Sequence, residues 1–118
     1  MDDPVPATLR AFLLEHIDSV AQLEALLLLR RAGKPLSAGT VAAALYIREP
    51  AATAELATLQ ARGLIESSEE GWRFIPNRMV DLLAETYAKA LIPVTNIVHG
   101  NPLRLRRFAD AFKFRKDG

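Results

Sequence analysis

Few residues in this chain are suited to chemistry, and they are scattered. His16 and His99 are the two histidines, and there is no cysteine. A disulfide framework, a thiolate metal site and a cysteine nucleophile are therefore excluded. Each histidine falls at the end of a predicted helix, where it pads or caps the terminus. The acidic pairs Asp2-Asp3 and Glu69-Glu70 are adjacent in sequence and read as solvated charge. No glycine-rich phosphate loop, metal-ligand spacing or nucleophile constellation occurs. No enzyme activity and no cofactor are expected. The side chains suited to contacts of another kind are Arg48, Thr53, Thr58, Arg62 and Arg73, which surround one short segment, and a cluster of arginines near residue 105.

The elements that position them follow from periodicity and punctuation. With 118 residues, half of them apolar and a quarter charged, the chain has ordinary globular composition and enough length for one core. A short helix is predicted over residues 7–16. Ser19 and Gln22 form a capping box ahead of a leucine-rich helix, which Gly33 and Pro35 end near residue 31. Leucines nearly all round that helix mark it as central and buried. Ser37 caps the next helix, which runs to residue 45. Tyr46-Ile47-Arg48 makes a turn, and Pro50 opens a helix over residues 50–62 that Gly63 stops. Residues 64–67 and 72–75 read as two strands joined through a turn at Glu70-Gly71.

Helix, turn, helix, hairpin is the plan of a winged helix-turn-helix, a module most often used to place one helix in the DNA major groove. The fold class expected is mainly α with a small β-hairpin, with additional N- and C-terminal helices. The helix-turn-helix falls at residues 37–62 and the wing at 64–75. Asn77 caps a long helix over residues 78–98, in which Pro93 predicts a kink or break near Leu91-Ile92. Its apolar seam includes Leu83, Tyr87, Val94 and Ile97, spaced to pack on another helix. A domain of residues 1–100 is followed by a basic amphipathic helix over residues 101–118.

Charge divides the chain the same way. Residues 1–100 hold nine Lys/Arg against twelve Asp/Glu, and residues 101–118 hold six against two. Arg104, Arg106 and Arg107 lie in that basic tail beside the apolar stripe of Leu105, Phe108 and Phe112. The tail has three readings: a grip on nucleic acid, an anionic membrane surface, or phenylalanines docked on the domain with the arginines left for phosphates. The acidic start, Met1-Asp2-Asp3-Pro4, does not read as a signal peptide. No apolar run is long enough to span a bilayer, and a cytoplasmic location is expected.

The run Leu36-Ser37-Ala38-Gly39-Thr40-Val41-Ala42-Ala43-Ala44-Leu45, then Tyr46-Ile47, then Leu56 to Ile65 in the pattern Leu-x-x-Leu-x-x-x-Gly-Leu-Ile, resembles bacterial winged helix-turn-helix regulators of the MarR-like kind. The resemblance covers about residues 18–98. It implies a transcriptional regulator that binds double-stranded DNA. The contacts expected for that function are Arg48, Thr53, Thr58, Arg62 and Arg73, joined by Arg104, Arg106 and Arg107 if the tail grips nucleic acid. It also implies a homodimer built on Leu83, Tyr87, Val94 and Ile97, and the alternative for that seam is packing within one chain against the leucine-rich helix. Two departures cut against DNA. Glu49 stands where the pattern has Ser, Thr or Asp, and the wing tip is Ser67-Ser68-Glu69-Glu70. Carboxylates there cost affinity for phosphates. A protein-interaction module on the same scaffold is the alternative, with Ala51, Ala54, Glu55, Ala57 and Ala61 as a smooth face for a basic partner.

Overall fold

The structure is a computed structural model, and it describes residues 3–103. Six helices and one hairpin follow in order: α1 (Ala7–His16), α2 (Val20–Ala32), α3 (Ala38–Leu45), α4 (Glu49–Ala61), β1 (Ile65–Ser68), β2 (Gly71–Phe74), α5 (Arg78–Lys89) and α6 (Leu91–His99). The fold is a mainly helical winged helix-turn-helix. The basic tail, including Arg104, Arg106 and Arg107, lies outside the described residues.

Alternating burial explains the layers. Helix α2 is the hub: Leu23, Leu26 and Leu29 are fully buried, and the helix packs on α3, α4, β2 and α6. Helix α4 presents Ala52, Leu56 and Leu59 inward. Helix α1 adds Leu9 and Leu13, and closes the far side against α5 and α6. No helix among the described residues is long and apolar enough to cross a membrane.

The helix ends obey local chemistry. Ser19 Oγ accepts from Gln22 N at 3.1 Å, Ser37 Oγ from Thr40 N at 3.1 Å, and Asn77 Oδ1 from Met79 N at 2.8 Å. Gln22 returns the bond one residue further back than a capping box requires: its Oε1 accepts from Asp18 N at 3.0 Å. Tyr46 ends α3 in the left-handed region, φ 57°, with its ring almost wholly in solvent.

Two expectations shift. The helix over residues 78–98 is divided at Ala90, slightly before Leu91-Ile92, where the backbone turns to φ −139° and ψ 55°. The proline ring of Pro93 would meet the carbonyl four residues earlier, on Lys89, so α5 stops there. Pro93 then sits in the first turn of α6, where a missing N–H costs nothing.

The turn of the hairpin is also displaced by one residue, with the cross-strand pairing unchanged. The strands pair Ile65 with Phe74 and Ser68 with Gly71, so Glu69-Glu70 forms the turn. Gly71 is drawn into β2 because Leu36, ahead of α3, exchanges two backbone bonds with Trp72 at 2.8 Å each. That bridge ties the wing to the helix-turn-helix. It requires glycine at position 71, where φ is 131° and a Cβ would stand 2.5 Å from the Leu36 carbonyl oxygen. Gly71→Ala is expected to cost about 2 kcal/mol in urea denaturation, with the Trp72 emission shifted as the bridge opens. Unchanged stability would show that the wing does not depend on Leu36.

Candidate nucleic-acid interface

Helix α4 is held on one side and open on the other. Its start carries Arg48 as an extended N-cap residue, then Glu49 and Pro50 in the first turn. Glu49 suits the positive end of the helix dipole. Its carboxylate also lies over the first turn of α3, 3.6 Å from where a Cβ on Gly39 would stand. Ala51, Thr53, Ala54, Ala57 and Ala61 are exposed along the outer face. Thr58 is half-buried and donates its hydroxyl to Ala54 O at 3.1 Å within the helix. The outer face is thus mostly methyl groups, with Thr53 its exposed hydroxyl and Arg48 at its leading end. The Arg48 side chain has no ion pair or hydrogen bond among the described residues and stands in solvent.

Arg62 is not on that face. Its guanidinium turns inward, donating to His16 O at 2.5 Å, Gln22 Oε1 at 3.0 Å and Asp18 Oδ2 at 3.2 Å. Asp18 is fully buried and the Arg62 side chain is 19 % exposed. The expectation that Arg62 grips phosphate is corrected by this placement, because its donors are already committed to the carbonyl end of α1 and to a buried carboxylate. The clue in the sequence was Asp18 and Gln22, two polar residues bracketing a helix start in an apolar stretch.

Glu55 is likewise withdrawn. It is half-buried and accepts from Ser19 Oγ at the start of α2, so it belongs to the α2–α4 junction more than to an outward alanine face. Arg73 is exposed on the wing and pairs with Glu66, its neighbour across the two strands. The wing tip is acidic and exposed at Glu69 and Glu70.

The seam assigned to a dimer faces the chain's own interior. Leu83 and Val94 are fully buried and Ile97 nearly so. Tyr87 is half-buried, and its hydroxyl donates to Glu24 on α2 at 2.7 Å. Burial, then the Glu24 carboxylate, pushes the Tyr87 phenol up to about 12. These side chains satisfy the helix-packing spacing within one chain, because α5 and α6 fold back on α1 and α2. On α5 and α6 the large apolar side chains left outward are Leu91 and Ile92, at the break between the two helices.

His16 stacks on Phe12 at 4.6 Å, with Nδ1 3.0 Å from Phe12 O, as a helix-end residue. Asn101, buried, donates to Leu13 O at 3.0 Å and Ile17 O at 2.6 Å. Its Oδ1 accepts from Leu103 N at 2.9 Å, so it caps the end of α1 and the next turn together.

A capped helix, a tight turn, an outward second helix and a hairpin bridged to the first define a winged helix-turn-helix. The model of the MarR family matches residues 19–71, from the N-cap of α2 to the first residue of β2, and supports a MarR-like winged-helix family. No curated protein and no solved structure matches the chain.

The Ser19 hydroxyl serves both the α2 cap and Glu55 of α4. Ser19→Ala is expected to lower stability by about 1–2 kcal/mol in urea denaturation, the upper part of the range for a lost cap. A loss no larger than a few tenths would show that the link to Glu55 carries no weight.

Proposed function

We propose that this chain is a DNA-binding transcriptional regulator of the winged helix-turn-helix type, working in a bacterial cytoplasm as a homodimer on double-stranded DNA. One observation carries the reading: α4 is buried along its inner face and open along its outer face, as a helix that enters a groove must be. In this reading Arg48 contacts phosphate at the leading end of α4, and Thr53 and Thr58 approach base edges or the backbone. Arg73 reaches phosphate from the wing with the Nη donors that its pair with Glu66 leaves available. Arg62 has a different part, holding α4 from behind. The basic segment 101–118, with Arg104, Arg106 and Arg107, adds the positive charge that α4 lacks. The family match supports a regulator and is the second strand of the argument.

A second reading is favoured by the same surface. Ala51, Ala54, Ala57 and Ala61 form a small-residue face bounded by Glu49. The wing tip adds Glu69 and Glu70. Such a surface suits a basic protein partner.

Selection of bound fragments from a genomic DNA pool by the full chain separates the two. Enrichment of a shared motif is expected, as an inverted repeat if the chain binds as a homodimer. Arg48→Ala is expected to weaken all bound fragments alike and to lower the salt slope by about 1. A single half-site would count against the homodimer. No enrichment would overturn the DNA reading and leave the protein partner.

A further inference from the structure

Three basic side chains of the described residues gather away from α4. A cleft of about 430 Å³ opens between the last turn of α2, the loop over residues 33–36 and the wing, and Arg30, Lys34 and Arg73 all line it. The backbone brings them together. Gly33, left-handed at φ 65°, turns the chain at the end of α2 and points Lys34 onward to Leu36. Leu36 is bridged to Trp72, the neighbour of Arg73, so Lys34 and Arg73 arrive from adjacent chain segments.

The charges in the cleft do not cancel. Glu66 is the one carboxylate on its lining, and Asp81 holds Arg30 from α5. Both arginines meet their carboxylates through Nε: Arg30 with Asp81 Oδ1 at 2.8 Å, and Arg73 with Glu66 Oε1. Their Nη groups make no hydrogen bond among the described residues. Each guanidinium is therefore oriented by a carboxylate while its terminal donors remain available. Lys34 is exposed and has no partner among the described residues. Leu29, Pro35 and Phe74 supply an apolar wall. Oriented donors, one uncompensated ammonium and a low-dielectric wall favour a compact oxyanion with several acceptor oxygens.

We propose that this cleft binds a phosphate group, with Lys34 supplying the charge and the Nη groups of Arg30 and Arg73 the directed donors. The group comes from one of two sources, a phosphodiester of duplex DNA or the phosphate of a free nucleotide. The first source rests on the regulator reading given above. The second does not.

The test uses the full chain at constant ionic strength set with KCl. The probes are a mixed-sequence DNA duplex and, separately, adenosine 5′-monophosphate and inorganic phosphate. Trp72, the single tryptophan, reports by fluorescence, and the amides of residues 33–36 report by NMR. Lys34→Glu is compared with Lys89→Glu, an equal charge change on the exposed end of α5. With DNA as the source, Lys34→Glu weakens the duplex about fivefold or more beyond Lys89→Glu. With a nucleotide as the source, the monophosphate shifts the amides saturably, Lys34→Glu abolishes the shift, and no duplex binds. In that case the cleft stands and the DNA reading falls. Equal binding by both variants overturns the cleft and leaves the DNA reading intact. No response of the wild-type chain to any probe overturns both.

Discussion

The buried pair of Arg62 and Asp18 is the constraint on which the arrangement of this fold rests. A carboxylate with no solvent exposure is costly unless it is paired and hydrogen-bonded. Here the guanidinium comes from the end of α4, the carboxylate from the corner between α1 and α2, and Gln22 Oε1 and the His16 carbonyl complete the shell. Separating any of these segments would leave a charge or a helix-end carbonyl stranded. Asn101 adds a second anchor at the same corner by donating to Leu13 O and Ile17 O. The end of α1 is thus a junction for α4 and for the chain that leaves α6, and it fixes the angle at which α4 presents its outer face.

That junction also decides how charge reaches the surface. It takes Arg62 inward, and the α2 cap takes Glu55 with it. What remains outward on α4 is mostly alanine and threonine, with Glu49 at its start and Gln60 near its end. Arg30 and Arg73 instead carry free Nη donors at the cleft by the wing base, beside the Leu36 bridge. The wing strand that carries Arg73 is the same strand that the Gly71 backbone lets lie against Leu36, so the bridge sets the geometry of that cleft as well as the pose of the wing. On the proposed reading, phosphate contacts come from the flank of α4 more than from α4 itself.

Much of the fold was legible because it is written in local chemistry. Ser19, Ser37 and Asn77 cap the helices expected of them, Gly33 stops α2, and the leucine-rich segment is the buried hub. The wing turn falls one residue earlier than expected, because Gly71 reads as a turn residue in the sequence while a long-range bridge to Leu36 places it in the strand. The helix break fell one residue before Leu91-Ile92, because the steric demand of Pro93 acts four residues back. The candidate site was less legible. Periodicity places Leu83, Val94 and Ile97 on one face but does not say whether the partner helix is in the same chain. Composition cannot tell an arginine that meets phosphate from one that meets a buried aspartate, since Asp18 and Arg62 are far apart in sequence. The relation of Arg30 and Lys34 to Arg73 is not legible in the sequence, because it exists only after the loop folds under the wing.

The most direct measurement is a double-mutant cycle of Asp18→Asn, Arg62→Met and the two together, read by urea denaturation. Each single change is expected to cost about 3 kcal/mol, because it leaves a buried partner uncompensated. The double change is expected to cost clearly less than the two losses combined, with a coupling of about 2 kcal/mol. Additive losses, or an Arg62→Met chain that keeps its stability while losing DNA, would put Arg62 in the interface and contradict the account.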